Sequence, residues 1–264
     1  MVYTWNFDPV AFSLMGFEVH WYGIMYLANF FLFTNFGWWL FQRYFKDRGD
    51  LTWKAWENLV FGGFVAGVVG GRMGFMLFYN PEGLLADPLS AFKVWEGGMS
   101  IHGGVIGAIL YGLLWCRFKQ ESFFKMVDIF ILPLCLALVL GRLTNFVNGE
   151  LYGRVNPAGW GVIFPQVDQE VRYPSQFFEA GKNLLMALIF SSILFAKIKL
   201  KPGTWLGLFL IMYGVLRFII EYYRQPEIYV GVLTMGQTLC TIMIVMGVSL
   251  ITYLYAFKKS RKFS

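Results

Sequence analysis

"IFILPLCLALVLGRLTNFVNGELYGR", residues 129–154, changes character in mid-run. From Ile129 to Gly141 it carries no charge. Then Arg142, Asn145, Asn148, Glu150, Tyr152 and Arg154 follow in close succession. The apolar part belongs to one of several windows that exceed the roughly 18 apolar residues marking a membrane-spanning helix. A helix end facing water needs only one or two polar residues. Six are crowded here, and the first arginine precedes the fading of the apolar signal, so solvation alone does not explain them.

The rest of the chain is of the same kind. It has 264 residues, 57% hydrophobic and 14% charged, where a soluble domain carries about 25% charged residues. It reads as a polytopic membrane protein, so the net charge of +6 bears on topology before it bears on acidic partners, and no nucleic-acid partner is expected. Cys116, Cys135 and Cys240 lie in apolar segments without metal or redox spacing and read as small core residues. The start, "MVYTWNFDPVAF", lacks the basic leader and cleavage site of a signal peptide, so the first hydrophobic segment is expected to be retained.

The pattern predicts an all-α integral membrane protein, a single membrane domain over 1–264 with seven transmembrane helices in a bundle. The spans are expected at about 19–41, 56–78, 97–116, 127–146, 176–196, 204–222 and 235–257. Four connecting or terminal segments carry Arg43, Lys46, Arg48 and Lys54; Arg117, Lys119 and Lys125; Lys197, Lys199 and Lys201; and Lys258, Lys259, Arg261 and Lys262. These are 14 of the 22 basic residues, against Lys93, Arg154, Arg172 and Arg224 on the opposite side. The positive-inside rule then puts the N-terminus outside and the C-terminus in the cytoplasm. Residues 147–175, rich in glycine and proline (Gly153, Pro157, Gly159, Gly161, Pro165, Pro174), are expected to form a small extracytoplasmic head with short strands.

Arg72, Arg142, Lys182 and Arg217 fall within spans, toward their outer ends. His102 joins them, about seven residues past Trp95, or roughly 10 Å along a helix, and Tyr22 opens the first span at a similar level. Each has a plain structural reading. Arg72 could snorkel to headgroups. Lys182 could pair locally with Glu179, three residues before it, and Arg217 with Glu221, four residues after it. His102 could be a satisfied interior histidine. Coincidence in depth favours a common site, since charges inside a membrane are functional by default. Arginines beside a histidine suit an anionic phospholipid. Guanidinium forks match phosphate oxygens, stabilise charge on a departing phosphate, and histidine can accept a proton near pH 7. The glycine pairs Gly70–Gly71, Gly97–Gly98 and Gly103–Gly104 allow close helix approach or room for a lipid chain. From the residues alone a lipid-modifying enzyme is favoured over a channel, with its acceptor open.

Longer motifs narrow this. "GRLTNFVNGELYGR" (141–154) resembles the signature of the prolipoprotein diacylglyceryl transferases. "HWYGIMY" (20–26), "GGRMGFMLFYN" (70–80), "GGMSIHGG" (97–104), "YPSQFFEA" (173–180), "YGVLRFIIEYYRQPE" (213–227) and "LTMGQ" (233–237) agree in order. Thr144 stands where the pattern usually has Gly or Ala, and Tyr173 where many members have histidine. The resemblance implies transfer of the diacylglyceryl group of phosphatidylglycerol to the lipobox cysteine of a preprolipoprotein, making a thioether and releasing glycerol phosphate in the bacterial inner membrane. It implies that Arg142 and Arg217 hold the phosphate, with Arg72 at the same lipid. Asn145, Asn148, Glu150 and Gly153 shape the pocket, and Tyr22 and His102 lie at the reacting end. Glu150, as a partly buried carboxylate, competes with His102 as the base. No metal or other cofactor is expected. A transporter using the arginines as an anion path is disfavoured by the absence of charge at helix centres and of a clean inverted repeat. A non-catalytic lipid-binding scaffold is the third alternative.

Overall fold

The computed structural model describes residues 1–94, 97–226 and 228–256. The basic residues Lys258, Lys259, Arg261 and Lys262, the last residue of the seventh expected span, and Trp95, the reference for the expected depth of His102, lie outside the described residues.

Among the described residues seven helices are long and apolar enough to cross a membrane, giving the expected seven-helix membrane architecture. The first runs over Trp21–Arg48 and comprises α1 (Trp21–Phe31), α2 (Gly37–Leu40) and wider π turns around α2. The others are α3 (Trp53–Phe78), α5 (Ile101–Lys119), α6 (Phe123–Val147), α7 (Ser175–Phe195), α8 (Thr204–Ile220) and α9 (Met235–Ala256), with a short α4 (Pro81–Ala86) after α3. Strands are brief: β1 (Val2–Thr4), β2 (Val10–Leu14), β3 (Phe17–His20), β4 (Gly161–Ile163), β5 (Val171–Arg172), β6 (Tyr229–Val230) and β7 (Leu233–Thr234). The chain divides into two compact units, one of Met1–Leu32 with Val127–Ser264 and one of Phe33–Met126.

In the smaller unit α3 and α5 pack backbone to backbone. A Cβ on Gly103 would collide with the Gly70 carbonyl, and one on Gly74 would sit 2.9 Å from the Gly103 Cα. The glycines at 70, 74, 103 and 107 thus recur every four residues and line one crossing. The expected span from 97 instead begins at Ile101. Gly97 and Gly98 take positive φ, which breaks the helix, and Ser100 caps its start by accepting from the Gly103 N–H at 3.4 Å.

In the larger unit α8 and α9 use the same device, with a Cβ on Gly247 falling 2.8 Å from the Gly207 carbonyl oxygen. The buried Asp128 carboxylate of α6 accepts from the backbone N–H groups of Gly203 (2.8 Å) and Leu206 (3.1 Å), capping α8. Residues between α6 and α7 do contain short strands. β4 pairs with β5 in antiparallel fashion and with β1, from the N-terminus, in parallel. Phe146, Val162 and Phe164 form their core, with Trp5, Tyr152 and Val167 packed against it.

Candidate active site

The unusual end of α6 is held by tertiary hydrogen bonds. The Trp5 indole donates to the Phe146 carbonyl at 2.7 Å, Gln176 Nε2 to that of Glu150 at 2.6 Å, and Ser175 Oγ to that of Leu151 at 2.9 Å. Carbonyls at and just beyond a helix end have no intrahelical partner. Here α7 and the N-terminal segment supply them, so this stretch has a fixed shape.

Two polar clusters follow. In the first, Asn145 Nδ2 donates to the Tyr22 hydroxyl at 2.7 Å, and that hydroxyl donates to Glu150 Oε2 at 2.5 Å. Tyr22 is thus oriented by two residues of the signature stretch. Glu150 is exposed rather than partly buried, because the chain has already left the helix in a turn there. Asn148 turns its amide back onto its own helix, donating to the Thr144 carbonyl at 2.8 Å. Gly153 is buried, and a Cβ there would sit 2.7 Å from the Tyr223 carbonyl oxygen and 2.7 Å from the Tyr173 Cβ. Only a glycine lets residues 153–154 pass between those two segments, donating to the Tyr173 carbonyl and, through Arg154 N, to that of Tyr223, each at 3.0 Å.

In the second cluster a single carboxylate gathers three cations. Glu179, with no exposed surface, lies 3.0 Å from Arg217 NH1, 3.3 Å from Lys182 Nζ and 3.5 Å from Arg142 Nε. Arg217 also pairs with Glu221, which lies 3.7 Å from Arg224 Nε and accepts from Thr234 Oγ1 at 2.9 Å. Lys182 Nζ donates to Asn183 Oδ1 at 2.8 Å and stands 3.6 Å from the centre of the Tyr213 ring. Among the described residues, four cations against two carboxylates leave two positive charges in a largely buried network. The crowding acts on its members: burial, then Arg217 and Arg142, push the Arg224 guanidinium down to about 10. Surplus positive charge taken out of water is costly unless an anion offsets it.

Of the residues singled out in the sequence, Tyr22, Arg142, Asn145, Asn148, Glu150, Gly153 and Arg217 belong to the larger unit, and Arg72 and His102 to the smaller. Arg72 is buried, donating from Nε (3.2 Å) and NH2 (2.6 Å) to the Ser90 carbonyl and from NH1 to that of Gly97. It organises the segment joining α3 to α5. His102 is exposed and is the second residue of α5, so it sits in the first turn rather than one and a half turns in. Glu179–Lys182 and Arg217–Glu221 are the plain local-pair alternatives to a common site. Both exist, but each carboxylate also serves a distant arginine or lysine. Lys182 is already among the in-span cations of the sequence, whereas Glu179, Glu221 and Arg224 join the cluster without having been singled out as more than pairing partners or loop charges; the available signal was a carboxylate inside an apolar span.

The family model described as prolipoprotein diacylglyceryl transferase matches residues 9–253. Phosphatidylglycerol–prolipoprotein diacylglyceryl transferase of Polynucleobacter asymbioticus is 43% identical over 256 residues, 93% of this chain and 95% of its own. The proteins of that name from Aeromonas hydrophila and Xanthomonas oryzae pv. oryzae are each 41% identical. They cover 94% and 95% of this chain and 90% and 92% of their own. The matched region holds every residue of both clusters, and the chain belongs to the prolipoprotein diacylglyceryl transferase family.

Proposed function

We propose that the charge network around Glu179 is the phosphate-binding part of a diacylglyceryl transferase site. The chain transfers the diacylglyceryl group of phosphatidylglycerol to the lipobox cysteine thiol of a preprolipoprotein, the first step of lipoprotein maturation. The observation that carries this reading is the two-charge surplus in a buried setting. In the reaction the thiol sulfur bonds to the terminal glyceryl carbon while that carbon's bond to the phosphate oxygen breaks, and the thiol proton is lost. A phosphodiester with one negative charge becomes a glycerol phosphate monoester, which carries more. Arg142 and Arg217 bind the diester and the network stabilises the growing charge, a role that needs fixed donors rather than mobile ones. Tyr22, fixed by Asn145 and Glu150, orients the substrate. The proton of the thiol has two candidate acceptors, His102, which the family resemblance implies, and Glu150, which holds Tyr22.

The distribution of basic residues supports an orientation in the bacterial inner membrane with the N-terminus outside and the C-terminus cytoplasmic. The segment between α6 and α7 then forms an extracytoplasmic head beside the site. An assay with radiolabelled phosphatidylglycerol and a lipobox peptide tests the reading in proteoliposomes. Label appearing on the peptide together with free glycerol phosphate is expected. Lipid bound or moved between leaflets without label transfer would favour the scaffold or the transporter instead.

A further inference from the structure

The hairpin of β2 and β3 is not used by the chemistry above. It contains nine successive uncharged residues, "PVAFSLMGF" at 9–17. Register places Phe12 opposite Val19 and Leu14 opposite Phe17, and Ser13 opposite Glu18. Cross-strand partners share a face and successive residues alternate. One face is therefore Phe12, Leu14, Phe17 and Val19, and the other Ser13, Glu18 and His20, where Glu18 and His20 approach to 3.8 Å. Among the described residues the apolar face has little cover near its tip: Leu14 is 61% exposed, Met15 93% and Phe17 78%.

The turn sharpens the point. Met15 and Gly16 both have positive φ, 50° and 85°, the conformation of a two-residue hairpin turn that favours Asn-Gly or Asp-Gly. A methionine at the first of these positions bears backbone strain and offers no polar group to water. A two-stranded hairpin is also marginal alone in water. Its base is fixed: Val10 pairs with His20, the Trp21 N–H donates to the Pro9 carbonyl at 3.1 Å, and Trp21 is the first residue of the first span. The hairpin thus springs from the border of the membrane, where amphipathic elements with aromatic residues settle in the interface.

We infer that the β2–β3 hairpin is an interfacial membrane anchor. It lies with Phe12, Leu14, Met15 and Phe17 in the lipid surface next to the start of the first span and with Ser13 and Glu18 toward water. The uncharged tip and continuity with the span favour lipid as the occupant, since β3 ends at His20 and the span begins at Trp21. The inference needs only that the chain spans the membrane, so it stands or fails apart from the proposed chemistry.

The test uses the full chain in phosphatidylglycerol–phosphatidylethanolamine vesicles. Single Leu14→Cys, Met15→Cys and Ser13→Cys variants are labelled with an environment-sensitive fluorophore; the native Cys116, Cys135 and Cys240 are buried. Shallow spin-labelled lipid is expected to quench the label at 14 and 15 at least twofold more than aqueous iodide, with the order reversed at 13. Iodide quenching all three alike would overturn the inference. So would protection at 14 and 15 from both quenchers, or protection that appears only with added lipobox peptide, since a protein contact would then cover the tip.

Discussion

Arg142 and Arg217 reach the same carboxylate from different circumstances. Arg217 NH1 lies between Glu179, at 3.0 Å, and Glu221, whereas Arg142 approaches Glu179 less closely, through Nε at 3.5 Å. Lysine in either place keeps the charge but loses the planar fork. A charge-assisted hydrogen bond contributes about 1.5–3 kcal/mol, and about 1.4 kcal/mol is a factor of ten. Arg142→Lys is therefore expected to lower kcat/KM at least tenfold while melting normally. Arg217→Lys is expected to lose as much activity and to melt earlier, because it breaks two buried pairs. Near-normal turnover in both variants would make the pairs purely structural. At His102 the prediction concerns pH. A free thiol has a pKa near 8.5, so near neutrality a base must take its proton, whereas by pH 9 the acceptor ionises unaided. His102→Asn is expected to lose most activity at pH 7 and to recover substantially at pH 9. Equal impairment at both values in a folded variant would assign His102 to orientation instead.

The elements make separate demands. At the α3–α5 crossing the backbones touch, so Gly103→Ala must push the helices apart or bend them. Overpacking of that kind costs about 1–3 kcal/mol. Gly181 lies within α7 and has open space, with nothing within 4 Å, where an alanine methyl would stand. Gly181→Ala is therefore expected to be neutral or to stabilise by up to about 1 kcal/mol. Melting in detergent compares the two variants, and equal melting would contradict the close approach. Between α6 and α7, Arg172 donates to Asp168 and also, from NH1 at 3.1 Å, to the Gly153 carbonyl. Its guanidinium holds the Asp168 carboxyl below the usual range. A carboxylate so depressed contributes stability that is complete above its ordinary value near 3.8 and disappears as pH falls through the lower folded value. Amide protection factors at Val162 and Val171, that is, exchange corrected for its intrinsic slowing in acid, are thus expected to fall below about pH 4. Asp168→Asn is expected to abolish that dependence and leave protection low throughout.

Across the whole molecule, what was legible in the sequence followed the range of the forces. A span is a local property of bilayer length, so all seven were found. Their ends moved where backbone geometry intervened. α5 starts at Ile101 rather than 97, where the positive φ of Gly97 and Gly98 breaks the helix and Ser100 accepts from the Gly103 N–H. Arg142, Glu179 and Arg217 meet only through tertiary packing, and β1 pairs with β4 from the far end of the chain. Neither is written in a local window. The residues of the signature were visible, but their division of labour was not: Asn145 holds Tyr22 while Asn148 serves its own helix.

Orientation is the remaining property of the whole chain, and it rests on a sum rather than a contact. Each of the four segments assigned to the cytoplasm carries three or four Lys or Arg residues, and the opposite side has four in all. Basic residues in short loops resist translocation, so the bias acts at every loop in the same sense. Gly159 is exposed in a turn between α6 and α7, with open space where a side chain would stand, which makes it the place to insert a reporter. A phosphatase that is active only outside the cytoplasm is therefore expected to be active at Gly159 and silent when fused after Lys199 or Ser264. With an odd number of spans these positions must divide in that way if the N-terminus is outside. Activity after Ser264 with silence at Gly159 would invert the chain, put the Glu179 network at the cytoplasmic face, and remove the site from secreted lipobox cysteines.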